Sequence, residues 1–277
     1  MDFAMRWLLA AIVAFTLPTN VFAKDEKKKS ASAPALAKDE SDIDQIREEL
    51  GVNGFTAPSI EHLLAELMQL RPIPIERIWR DVPPDMPETR AKIALRSGRI
   101  IADGLLAVIA EKPSRVEGPA RALVRYAKAL GVADHITKHS KSLLEKAAKE
   151  NWLDLRKELV KSQADIESGM MGLKDEEIAH MVSLGGWFRG LEAVSFLVEG
   201  DYTPEHAKIL LQPEAVDYYL DRMSTLDPSM KEDPVFQAID KSLKAIKAAT
   251  TKEGDAAPTA EDVKSIHKHA VEVVELL

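Results

Sequence analysis

Cysteine is absent from all 277 residues. That excludes disulfides, thiolate zinc sites, c-type haem attachment, a lipid-anchoring cysteine and cysteine catalysis. An excess of positive charge is lacking too. The formal net charge is −8, which argues against a broad nucleic-acid surface, because counterion displacement needs a positive face. No stretch alternates apolar and polar residues with period two, and no hairpin turn stands out, so strands are not expected. Past the first two dozen residues no apolar run looks long enough to cross a bilayer. Complete catalytic signatures are missing as well: there is no G-x-S-x-G, no phosphate-cradling glycine loop, no dinucleotide fingerprint and no H-E-x-x-H.

What is present begins with "MDFAMRWLLAAIVAFTLPTNVFA". A short segment with Arg6 precedes an apolar run from Trp7 to Leu17, Pro18 breaks it, and small or apolar residues lead to Ala23. This reads as a signal peptide over residues 1–23, cleaved near Ala23, and implies a periplasmic or secreted protein. An uncleaved N-terminal anchor is the other reading. Residues 24–41, "KDEKKKSASAPALAKDES", carry charge, Ser, Ala and Pro without apolar periodicity and read as a flexible linker.

From Asp42 to the end, 42–277, the helical period dominates. The expectation is a single all-α domain, a multi-helix bundle whose core needs no covalent staples. A proline-rich stretch, 71–87, holds five prolines and suits an ordered arm laid over the domain, with a turn or two of helix at "IERIW" after Pro74. Helices are expected from about Pro87 to Glu111, over "EGPARALVRYAKALG" with Gly131 as C-cap, over "ADHITKHSKSLLEKAAKE" and "WLDLRKELVKSQADIESGMMGL", and from about Asp175 to Glu199. Pro204 and Pro213 should each open a shorter helix, Asp227-Pro228 a turn. After the linker "TKEGDAAP", Thr259 caps a last helix over 259–277.

Two of these helices carry residues that weaken helices most. "LRSGRIIADGLLAV" (95–108) and "SLGGWFRGLEAV" (183–194) align at an offset of 86 residues and share S-x6-G-L-x-A-V. Each interior glycine costs about 1 kcal/mol relative to alanine, so close helix–helix approach is the expected compensation. Ser97, Gly98 and Gly104 on one helix, and Ser183, Gly186 and Gly190 on the other, are the close-packing candidates, with a duplicated helical unit as their origin. Gly185 lies beside them.

The same helices bear charge. Arg96, Arg99 and Asp103 follow i, i+3, i+7, and Arg189 and Glu192 follow i, i+3. They line the solvent side, pair across the crossing, or form a cluster on a concave face that binds something small or anionic, with Arg99 and Arg189 facing it. Glu177 and His180 form one E-x-x-H; di-iron bundles need two such elements, and only one exists. His135 and His139 are spaced for zinc but lack a nearby thiolate. No cofactor is implied. The leading expectation is an exported, non-enzymatic helical domain that binds a partner protein or small ligand. A metal-binding bundle using Glu177 and His180 is the alternative, and a cell-wall hydrolase with an unidentified acidic pair is the third.

Overall fold

Caps and prolines in the chain decide where its helices start and stop. A computed structural model describes residues 67–158 and 176–277, except 253 and 255. The signal, the linker, residues 42–66 and most of 152–173 lie outside the described residues. Among the described residues the bounded helices are α1 (Ile75–Ile78), α2 (Arg90–Ile109), α3 (Pro113–Leu130), α4 (Ala133–Ala148), α5 (Glu176–Gly200), α6 (Pro204–Lys208), α7 (Pro213–Thr225), α8 (Pro228–Lys231), α9 (Pro234–Thr250) and α10 (Ala260–Val274). No strand occurs among the described residues. The fold is an all-α multi-helix bundle.

Local chemistry accounts for the boundaries. Thr89 Oγ1 accepts from the Lys92 amide, Thr203 from His206, and Thr259 forms a capping box with Asp262, each satisfying amides that the first helical turn leaves open. At the end of α3, Gly131 is left-handed (φ 84°), and Val132 N–H bonds Ala127 O at 2.9 Å. That is a Schellman termination. The same 6→1 bond closes α2 (Lys112 N to Ala107 O) and α4 (Asn151 N to Lys146 O). There the left-handed position is filled by Glu111 (φ 55°) and Glu150 (φ 51°), at a backbone cost of about 1–2 kcal/mol each.

The helices pack in a chain of neighbours. α4 lies on α3, α3 on α2, α2 on α5, α5 on α10, α10 on α9 and α9 on α7. The α2–α5 pair is the most extensive contact and forms the centre. Its core includes Leu95, Ile100, Leu106, Phe188 and Val198, flanked by Tyr126, Tyr219 and Phe236. α5 has no single apolar stripe, as expected of a helix enclosed on most sides. By length and composition alone α5 could cross a membrane: an 18-residue window in Glu177–Gly200 has mean hydropathy 1.2, but 72% of it is buried in the bundle. The expectation that no later segment reaches that length needs this qualification.

Residues 71–87 run as an arm over the α2–α5 pair. Its single turn, α1, buries Ile75 and Ile78 in the core. Pro74 is the N-cap of that turn and not its first helical residue.

Candidate functional site

The centre of the molecule is a backbone-to-backbone crossing. A Cβ on Gly98 would overlap the carbonyl oxygen of Val182 and lie 2.6 Å from the Gly186 amide nitrogen. On Gly185 it would overlap the Leu95 carbonyl oxygen and lie 2.7 Å from its carbon. Real Cβ atoms do not come so close, so only glycine fits at these two positions. Gly186 has more room, 3.3 Å to the Gly98 oxygen.

The expectation for Gly104 is corrected. A Cβ there would meet only Pro119 Cβ of α3, at an ordinary 3.5 Å, so Gly104 belongs to a different interface. Gly190 is buried. The two serines do not line the crossing as small, inert surfaces. Ser97 Oγ donates to Ile93 O at 2.7 Å, and Ser183 Oγ pairs with Tyr219 O–H at 2.7 Å.

One step along the crossing lie the charges. Arg189 and Asp103 are fully buried, and Arg99 and Glu192 are 4% and 5% exposed. Arg189 Nε donates to Asp103 Oδ1 at 2.6 Å and Nη1 to Glu192 Oε2 at 3.0 Å. Arg99 Nε stands 3.2 Å from Asp103 Oδ2, an ion pair without hydrogen-bond alignment. Burial, the largest influence, pushes the Asp103 carboxyl above its ordinary value, against the opposite pull of Arg189 and Arg99. Two guanidinium groups and two carboxylates leave this buried group neutral, as the low-dielectric interior requires.

Further guanidinium N–H groups go to the arm. Arg189 Nη2 donates to Ile78 O at 2.5 Å, Arg99 Nη2 to Asp81 O at 2.8 Å, and Arg96 Nη1 to Asp85 O at 3.1 Å and Asp85 Oδ2 at 2.9 Å. From the arm's side, Arg80 Nε donates to Glu192 Oε1 at 2.9 Å. Four of the five charges of the expected ligand cluster, Arg96, Arg99, Arg189 and Glu192, therefore bond the chain's own arm, and Asp103 pairs with two of them. A ligand would have to displace the arm, so the cluster is better read as its anchor. Sequence reasoning omitted Arg80, which no periodicity connects to Glu192, 112 residues away.

The two residues of the E-x-x-H pair lie in different surroundings. Glu177 is exposed, whereas His180 is 5% exposed with Nδ1 2.6 Å from the Tyr218 hydroxyl. Burial, with help from nearby Arg222, lowers the His180 pKa from 6.5 to about 4. No group of three or more potential ligands occurs among the described residues. His139 is 2% exposed and pairs with Glu158 at 2.8 Å.

Compared with known protein families, characterised proteins and solved structures, the chain matches none.

Among the described residues a cleft of about 660 Å³ opens between the start of the arm, the end of α5, α6 and α10. Leu70, Pro72, Pro74, Phe196 and Leu197 give it an apolar wall. Its polar groups are Gln69, Arg71, Arg77, Glu199, Asp201, His206 and His267. Arg77 lies over the Phe196 ring at 4.9 Å, a cation–π contact. Ser195 Oγ donates to Leu191 O at 2.6 Å, so His267 Nδ1, 3.2 Å away, carries the proton of their contact. His206 Nδ1 donates to Asp201 O at 3.0 Å. Both imidazoles thus keep Nε2 outside these bonds. The sequence reading missed this site because its residues come from four separated segments with no shared motif.

Proposed function

We propose that this chain is an exported, non-enzymatic helical binding domain of the periplasm or the cell exterior. It takes a small ligand in the cleft walled by Phe196 and Leu197. The observation that carries this reading is the cleft itself. Its volume of about 660 Å³ falls in the range of ligand pockets, and it combines an apolar wall with a few polar groups, the usual composition of such sites. The N-terminal segment with its apolar run and Ala23 supports export. The buried charges at the α2–α5 crossing serve the scaffold in this reading, because their partners are each other and the arm.

A thermal-shift screen against a chemically broad small-molecule library tests the site. Compounds that raise the melting temperature of the wild type should lose the effect in Phe196→Trp, whose larger ring fills the cleft. Hits that bind both proteins equally, or an absence of hits, would overturn the assignment.

A further inference from the structure

We infer that Glu111 is a positioning residue for the cleft: from a left-handed backbone at the end of α2, its carboxylate holds Arg71 and so fixes the start of the arm as the cleft's wall. This deepens the reading above and rests on it. The argument begins with the backbone. Glu111 has φ 55°, a conformation in which the Cβ of an L residue crowds the following carbonyl oxygen and which glycine adopts freely. The chain uses glycine for this purpose at the end of α3, where Gly131 closes the same kind of turn. At position 111 it keeps a side chain. Strain retained where a relaxed residue would serve directs attention to what that side chain does.

It reaches Arg71. One nitrogen of that arginine, Nη2, donates to the Ile109 carbonyl oxygen at 2.6 Å and to Glu111 Oε1 at 3.1 Å. Ile109 is the last residue of α2, so its carbonyl has no partner within the helix and sits at the negative end of the helix dipole. Arg156 Nη2 approaches the same Oε1 at 3.4 Å; without the carboxylate the two guanidinium groups would face each other unshielded. The Arg71 and Glu111 side chains are 36% and 42% exposed, so the pair adds little to global stability. Its effect is local. Arg71 lines the cleft beside Leu70, Pro72 and Pro74, at the end of the arm opposite the bonds from Arg99 and Arg96. Glu150, also left-handed at φ 51°, does not line the cleft and provides a control with the same backbone and no arm to hold.

Hydrogen exchange of the full chain at the Ile75 and Arg77 amides, which bond Ile73 O and Pro74 O inside the arm, reads the start of the arm without any ligand. Glu111→Gly and Glu150→Gly should both raise the urea midpoint, because each relieves a left-handed residue. Only Glu111→Gly should also speed exchange at Ile75 and Arg77, by about threefold or more, as the loss of one exposed ion pair from a local opening equilibrium allows. Arg71→Met should speed it too, and in that background Glu111→Gly should add nothing. Unchanged exchange in Glu111→Gly, equal acceleration in Glu150→Gly, or an effect that persists beside Arg71→Met would each remove Glu111 from this role. Library compounds that Phe196→Trp excludes should bind Glu111→Gly more weakly than the wild type; equal binding would sink the inference while leaving the ligand site standing. If the library yields no such compound, the ligand site falls and the exchange result alone decides whether Glu111 places the arm.

Discussion

Replacing Gly98 with alanine should destabilise the protein, although alanine is the better helix former. In an open helix the change would gain about 1 kcal/mol. At Gly98 the added methyl falls on the Val182 carbonyl and lies 2.6 Å from the Gly186 nitrogen. Neither is a flexible side-chain end that can swing aside, so α2 and α5 must part by an ångström or more. Separation forfeits part of several dozen dispersion contacts of about 0.1–0.2 kcal/mol each, and overpacking a core costs about 1–3 kcal/mol. The net expectation is a loss of about 2–4 kcal/mol, or roughly 5–15 °C in melting temperature for a domain of this size. Gly104→Ala provides the contrast, because its new methyl meets only Pro119 Cβ at 3.5 Å. It should be neutral or stabilising by up to about 1 kcal/mol. Urea and thermal unfolding of both variants measure the pair. A neutral or stabilising Gly98→Ala would refute the backbone crossing.

Arg189→Met should cost about 3–5 kcal/mol in urea unfolding, because it strips Asp103 of its closer guanidinium inside the core; a loss below about 1 kcal/mol would mean the cluster is not desolvated. His180 stays neutral in the folded state down to about pH 4, whereas its ordinary pKa is 6.5. The unfolded chain then binds the extra proton in that window, so this group should remove stability as pH falls from 6.5 towards 4, by at most about 3 kcal/mol. His180→Gln, which keeps a partner for Tyr218, should flatten that part of the urea-midpoint profile, and an unaltered slope would count against the assignment. Glu150→Gly relieves a left-handed residue (φ 51°) and should stabilise by about 0.5–1 kcal/mol, measured by melting. N-terminal sequencing of protein exported by a bacterial host should begin at Lys24; an intact Met1 would contradict cleavage.

Helix boundaries were legible wherever a side chain caps or a ring interrupts. Pro204, Pro213 and Thr259 start α6, α7 and α10 as their chemistry dictates. The left-handed ends at Glu111 and Glu150 were not legible, because glutamate gives no sign of tolerating positive φ; only Gly131 does. The glycine-rich pair pointed to the right helices but partly to the wrong residues. Spacing places Gly98, Gly104, Gly186 and Gly190 on their helices, but the direction in which one helix crosses another depends on every neighbour. The contacts Leu95–Gly185, Gly98–Gly186 and Asp103–Arg189 ascend together, so α2 and α5 run in the same direction. Asp103 and Arg189 are 86 residues apart, the offset at which the two stretches align, an arrangement that two copies of one helix would adopt about a shared axis. The surroundings do not repeat: α2 packs on the helix that follows it, α5 on the last helix of the chain.

The arm links the two parts of the molecule that the sequence kept separate. Its first residues, Arg71 to Arg77, wall the cleft, and its later ones are held at Ile78, Asp81 and Asp85 by Arg189, Arg99 and Arg96. α1 is a single turn, far below the length at which a helix stands alone. Its position therefore depends on Ile75 and Ile78 in the core and on the arginine bonds at its end. Arg77 sits inside that turn. Loosening Asp81 by Arg99→Met should consequently weaken ligand binding at the cleft, although Arg99 does not line it. Placement of Arg77 over Phe196 is the step through which buried charge at the centre of the bundle reaches the cleft.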